Sequence, residues 1–176
     1  MIYLVTKKQE LFEDSDYTII TAERAIEVMK DWKLVQYDSE TSGRDCHLCK
    51  LLCAQFGNDT SNIRIVVDCE TIDIKLFKTI LESKLLVGHN LKFDLQFLYN
   101  YGIIPRKVYD TMIVEQFLYL GYPPAGSFGG ISYSLHSAAE RRLGINIDKT
   151  VRGEIIWRGL DKAVVMYAAL TYWGRN

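Results

Sequence analysis

Three short apolar runs in the first half of the chain constrain its fold more than any other feature. Leu34-Val35-Gln36-Tyr37-Asp38 reads as a buried strand, residues 48–56 alternate as a second, and residues 63–67 form a third. Gly57-Asn58-Asp59 supplies turn chemistry between the second and third. Successive strands joined this way predict an antiparallel meander. A short strand at 17–21 and an amphipathic helix at 22–32 precede it. After it the hydrophobic period changes to an alternation of helices and extended pieces. Helix 74–83, strand 85–88, helix 91–101, extended Val108-Tyr109 and helix 111–120 follow in turn, the last capped by Asp110. Residues 121–130 hold two of the three prolines and four glycines, and read as a loop. A helix at 134–143 is stopped by Gly144, and a last helix covers 160–172. The expected class is α/β: a mixed sheet with an antiparallel three-stranded meander and helices packed against both faces.

The chain has 176 residues, 48% of them hydrophobic and 24% charged, which suits one globular domain. We read 1–33 as an N-terminal extension and 34–176 as the core. No apolar run approaches the ~18 residues of a membrane span, and the first residues lack a secretory signal's charged region. The expected location is intracellular: cytoplasmic, or wherever DNA is replicated. Net charge is −1, so no global basic field is available to hold a polyanion. The densest basic stretch runs over 141–162, with Arg141, Arg142, Lys149, Arg152, Arg158 and Lys162. It is as readily a solvated face as a binding patch. Cys46, His47, Cys49 and Cys53 raise the idea of zinc, but a second ligand pair is missing. Cys49 and Cys53 read instead as small apolar thiols on a strand.

Asp38 and Glu40 are two apart on a predicted strand and project to one face. Like charges that close resist joint ionisation unless a cation sits between them. An oxygen-ligated divalent metal fits that arrangement. The same spacing recurs in Asp68-Cys69-Glu70, so spacing alone does not choose between the two pairs. A second cluster, Gly88-His89-Asn90-Leu91-Lys92-Phe93-Asp94, lies where a strand passes into a helix. Asn90 and Asp94 are four apart, which predicts one helix face. His89 reads as a structural hydrogen-bonding residue. Tyr167 and Thr171 share the same spacing on the last helix, where an aromatic is usually core.

Taken in order, Asp38-Ser39-Glu40-Thr41, the Asn90-to-Asp94 motif, Asp110-Thr111-Met112 and Tyr167-Ala168-Ala169 resemble a known family. They look like the proofreading 3′-5′ exonuclease domain of family A DNA polymerases, of the DNA polymerase I type. That domain belongs to the DnaQ-like, DEDDy group with a ribonuclease H-like fold. The 134–144 segment also resembles the family's helix before its last motif. The resemblance selects Asp38 and Glu40 over Asp68 and Glu70, because the family's first motif precedes the meander. It implies two Mg²⁺ or Mn²⁺ ions held by Asp38, Glu40 and Asp94. Asp38 would bridge both ions, Glu40 would hold the ion that activates water, and Asp94 would hold the other. It implies that Tyr167 orients the attacking water, and that Thr41, Ser42 and Asn90 contact the substrate's 3′ end. The implied substrate is a single-stranded or frayed DNA 3′ end, with RNA as in the RNase D branch as the alternative. A polymerase domain or replication protein is the implied partner. One position departs from the pattern. The family's last motif is Tyr-x-x-x-Asp, and Thr171 stands where the aspartate is expected. Threonine is neutral and a poor ligand, so the resemblance implies weakened metal binding there. A natural loss, an engineered change and an error in the sequence remain open as its cause.

Overall fold

The structure is a computed structural model that describes residues 1–8, 16–146 and 159–170. Seven strands form one sheet: β1 (Ile2–Val5), β2 (Thr18–Ile19), β3 (Leu34–Thr41), β4 (Leu51–Gly57), β5 (Arg64–Asp68), β6 (Leu85–Gly88) and β7 (Lys107–Asp110). Their order is β2-β1-β5-β4-β3-β6-β7. Strands β3, β4 and β5 make the expected antiparallel meander. The other pairings are parallel. The helices are α1 (Ala22–Met29), α2 (Lys78–Ser83), α3 (Leu91–Asn100), α4 (Thr111–Leu118), α5 (Leu135–Leu143) and α6 (Lys162–Leu170). No helix among the described residues is long and apolar enough to cross a membrane.

The side-chain period of two along each strand splits the core into two layers. Val5, Val35, Tyr37, Ala54, Phe56, Ile65, Val67 and Leu86 face one way, against α1, α2 and α3. Leu4, Cys53 and Val66 face the other way, against Val165, Ala168 and Ala169 of α6. Ala168 and Ala169 let that helix approach the sheet closely. Both faces are therefore covered, as the sequence pattern predicts.

The caps predicted at Asp110 and Gly144 form, and Ser134, read as the first helical residue, is itself a cap. The Asp110 carboxylate accepts from Met112 N at 2.9 Å and starts α4. Ser134 caps α5, and Gly144 ends it with a left-handed backbone at φ 67°. Three elements differ from expectation. The first residues form strand β1, which no local pattern marked; Leu4 pairs with Val66 of β5 and with Ile19 of β2. Strand β4 begins at Leu51 rather than 48, because Asp45 folds the preceding residues into a turn. Its carbonyl accepts from Cys49 N and its carboxylate from His47 N. Cys49 is thus ahead of the strand. Finally, the 74–83 segment opens as a 3₁₀ turn at Ile74–Phe77, capped by Asp73, before it becomes α2.

The basic stretch is partly consumed by structure. Arg141 Nη2 and Arg142 Nε donate to the buried Glu115 carboxylate at 2.6 and 2.9 Å. Both guanidinium groups also lie over the Tyr119 ring, at 4.8 and 5.4 Å from its centre. Lys162 pairs with Asp16 at 2.8 Å. Lys149, Arg152 and Arg158 lie outside the described residues.

Candidate active site

In the parallel part of the sheet, Leu34, Val35 and Gln36 of β3 pair with Leu85, Leu86 and Val87 of β6. Strand β3 therefore runs on past the end of β6, and its last residues, from Asp38 to Thr41, overhang. Strands β6 and β7 end side by side, with Gly88 opposite Asp110. Open α/β sheets bind ligands at the carboxyl ends of their strands, where the sheet's direction changes. Here that edge carries Asp38 and Glu40 from β3, Asn90 and Asp94 beyond β6, and Asp110 at the end of β7.

Register settles which way each side chain points. Glu40 lies opposite Cys53, and Ser39 opposite Ala54. Directly opposed residues of an antiparallel pair share a face. Cys53 belongs to the layer against α6, and Ala54 to the layer against α3. Asp38 and Glu40 thus stand on the α6 face, and Ser39 stands on the α3 face. A register shift follows immediately: Thr41 pairs with Leu51, so Leu52 is the extra residue of a bulge. Bulges re-aim side chains at the ends of strands.

Asp94 comes from the first turn of α3 and is almost wholly buried. Ser39 Oγ donates to its Oδ1 at 2.6 Å. Burial first, and then the negative charge of Asp38, push the Asp94 carboxyl up to about 8, with Glu40 adding to the effect. The Ser39 hydrogen bond and a helix backbone N–H oppose this without overcoming it. Sequence reasoning missed Ser39. As the middle residue of Asp-x-Glu it faces away from both acids, and only the tertiary placement of α3 gives it a partner.

Asn90 is placed differently from the expected shared helix face. It is the N-cap of α3, exposed, with φ 62° and ψ 41°. Among the described residues no other non-glycine has a positive φ. Asparagine tolerates this conformation better than most residues. Asp110 Oδ1 accepts from Asn90 N at 2.9 Å, so one carboxylate both fixes that backbone and caps α4. Gly88 makes the sharp turn possible: a Cβ there would lie 2.7 Å from Tyr37 O and 2.5 Å from Leu91 Cδ2. His89 is structural, as expected. Its Nδ1 bonds Thr111 Oγ1 at 3.0 Å and its Nε2 bonds the Tyr133 carbonyl at 2.8 Å.

Thr41 and Ser42 close the β3–β4 connection. Thr41 Oγ1 donates to Gly43 O at 2.7 Å, and Ser42 Oγ accepts from Lys50 N at 2.8 Å. Tyr167 lies on α6, the helix that covers the face bearing Asp38 and Glu40, and is half-buried beside the buried Ala168 and Ala169. Thr171 lies outside the described residues. The look-alike Asp68 is fully buried and satisfied: it accepts from Thr6 Oγ1 at 2.7 Å, Thr71 Oγ1 at 2.8 Å and Glu70 N at 3.1 Å. It ties the end of β1 to the turn after β5. Cys53 is a core thiol, pushed up above all by burial.

The donor chemistry of Asp38, Glu40 and Asp94 fits a divalent cation. All donors are carboxylate oxygens, the preference of hard ions. The Asp94 carboxyl is raised by its burial first and by the nearby charges of Asp38 and Glu40 second. Among the described residues no three His, Cys, Asp or Glu side chains form a ready-made ligand group.

A mixed sheet with an acidic edge at the ends of its parallel strands is compatible with many activities, and comparison with known proteins narrows them. A family model described as a 3′-5′ exonuclease matches residues 15–170. DNA polymerase I of Aquifex aeolicus (strain VF5) is 31% identical over 139 residues, covering 77% of this chain. The chain spans only 21% of that relative's length. Escherichia coli RNase D, an exoribonuclease involved in structured RNA processing, superposes with a TM-score of 0.70 at 21% identity, over 97% of this chain and 41% of that one. Brucella melitensis NrnC with bound Mg²⁺ gives 0.63 at 18% identity, over 96% and 72%. The same protein bound to pGG gives 0.63 at 22% identity, over 79% and 66%. These structures share the ribonuclease H-like fold. The chain belongs to the 3′-5′ exonuclease family, of the DNA polymerase I type. That family is divalent-metal dependent.

Proposed function

We propose that the chain hydrolyses single-stranded or frayed DNA from its 3′ end, releasing nucleoside monophosphates by two-metal-ion catalysis. One observation supports the reading: Asp38 and Glu40 at the end of β3 and Asp94 in the first turn of α3 lie at the same end of the parallel strands, where β3 runs on past β6. Asp38, Glu40 and Asp94 would hold Mg²⁺ or Mn²⁺. The chemistry supplied there is charge stabilisation of the attacking and leaving oxygens of an in-line displacement.

The remaining work falls to the chain itself. Tyr167 approaches from α6. Its role is to orient water rather than to deprotonate it. Asn90, fixed by Asp110, and the loop residues Thr41 and Ser42 contact the terminal nucleotide. The bond between phosphorus and the leaving 3′-oxygen breaks as the water oxygen bonds to phosphorus. The water oxygen remains on the released monophosphate, its proton passes to solvent, and the leaving 3′-oxygen takes a proton from solvent to become the new 3′-hydroxyl. The closer sequence likeness to a DNA polymerase than to RNase D favours DNA. A polymerase domain or replication protein is the partner this reading assigns, and the location is intracellular.

A second reading is a binding module with impaired turnover, and Thr171 motivates it. Matched 5′-labelled DNA and RNA oligonucleotides with Mn²⁺ test both readings. The first expects DNA to shorten faster than RNA. The second expects binding with little shortening, and a gain when an aspartate is inserted between Leu170 and Thr171. RNA shortened faster than DNA overturns the substrate assignment.

A further inference from the structure

We propose that Ser39 is a positioning residue for this chemistry: its hydroxyl clamps one oxygen of Asp94 and leaves the other as the oxygen a cation engages. The proposal rests on the metal-dependent reading above. Ser39 and Asp94 are both nearly inaccessible, at 3% exposure each, so their hydrogen bond is shielded from water. At 2.6 Å it has the short length of a hydroxyl bonded to a carboxylate. The residues before Ser39 on the same face, Val35 and Tyr37, are core, and its cross-strand neighbour Ala54 is core as well. A small polar side chain in this layer matches the one acid that α3 brings there.

The consequence is geometric. Asp38 and Glu40 stand on the α6 face of β3, and Ser39 on the α3 face. A single strand thus presents two ligands directly and restrains the third from behind. With Oδ1 bound to Ser39, Oδ2 is the Asp94 oxygen that would be left for a cation. Partners that orient metal ligands typically change metal affinity or activity by ~10–100-fold when removed.

The test compares the wild type with Ser39→Ala and Ser39→Thr. Mn²⁺ binding is read by calorimetry and by the electron paramagnetic resonance signal of bound Mn²⁺, and turnover by shortening of labelled single-stranded DNA. Ser39→Ala is expected to weaken Mn²⁺ binding ~10–100-fold. It should raise the Mn²⁺ needed for half-maximal turnover, with the DNA KM unchanged at saturating Mn²⁺. Ser39→Thr, which keeps the hydroxyl, restores binding. Should Ser39→Ala fail to fold, Ser39→Cys, similar in size and a weak donor, is read in its place. Wild-type Mn²⁺ affinity in Ser39→Ala, or a Ser39→Thr as weak as Ser39→Ala, overturns the role of Ser39 alone. A wild type that takes up no Mn²⁺ overturns the metal-dependent reading and this role with it.

Discussion

Asp94→Asn should stabilise the metal-free protein, and the gain should grow with pH. Asparagine keeps an oxygen for Ser39 and occupies nearly the same volume, but cannot ionise. In the native protein the Asp94 carboxyl is pushed up to about 8, whereas an unfolded aspartate titrates near ~3.9. The folded state therefore binds more protons than the unfolded state between these values, and stability falls as pH rises through that window. The loss starts near the unfolded pKa and is complete once pH passes the folded one. Each pKa unit corresponds to about 1.4 kcal/mol, so the cumulative cost above pH 8 reaches on the order of 5 kcal/mol. For a chain of this size 1 kcal/mol moves Tm by roughly 2–4 °C. Thermal melts in EDTA from pH 4 to 9 should show the variant and wild type close together at pH 4. They should diverge by about 10 °C at pH 9. Added Mn²⁺ should raise the wild type at pH 9 and leave Asp94→Asn much less affected. A difference that is the same at pH 4 and pH 9, or a variant less stable throughout, would refute the reasoning.

Other perturbations separate scaffold from site. Asp68→Ala strands the Thr6 and Thr71 hydroxyls and should lower stability by about 2–4 kcal/mol, read by urea unfolding, while Mn²⁺ affinity is retained. Gly88→Ala places a methyl group against Tyr37 O and Leu91, and should cost about 1–3 kcal/mol in the same assay. Glu115→Gln removes the charge that Arg141 and Arg142 share. Burial works to raise the Glu115 carboxyl, and the two arginines outweigh it and hold it below the usual range. The stability this pairing contributes is present above the unfolded pKa and is lost as pH falls through the folded one. The wild type should thus lose its advantage over Glu115→Gln in acid, which melts at pH 3 and pH 7 will show.

The meander, both capped helices and the alternation of the second half were legible because their signals are local. Asp110, Ser134 and Gly144 act on backbone groups within a few residues of themselves. Strand β1 was not legible, since its partners lie far along the chain and four apolar residues carry no period. Asp38 and Asp68 look alike as sequence, each two residues before a glutamate. Their surroundings separate them: Asp68 is satisfied by two hydroxyls and a backbone N–H, and Asp38 lies near a carboxyl that it pushes upward. Asn90 was expected to share a helix face with Asp94, and it stands instead at the cap with a left-handed backbone whose N–H donates to Asp110, twenty residues away. Ser39 could not be found from spacing, because alternation turns it away from the acids it separates.

A metal-dependent exonuclease site at the sheet edge bearing Asp38, Glu40 and Asp94 should lose its activity when that edge or its metal is removed. The most direct measurement follows a 5′-labelled single-stranded DNA with Mn²⁺, for the wild type and for Asp38→Ala. The account predicts stepwise shortening from the 3′ end, abolished by EDTA and by Asp38→Ala. Shortening that survives Asp38→Ala, or a wild type that never shortens the strand even with an aspartate inserted after Leu170, would contradict it.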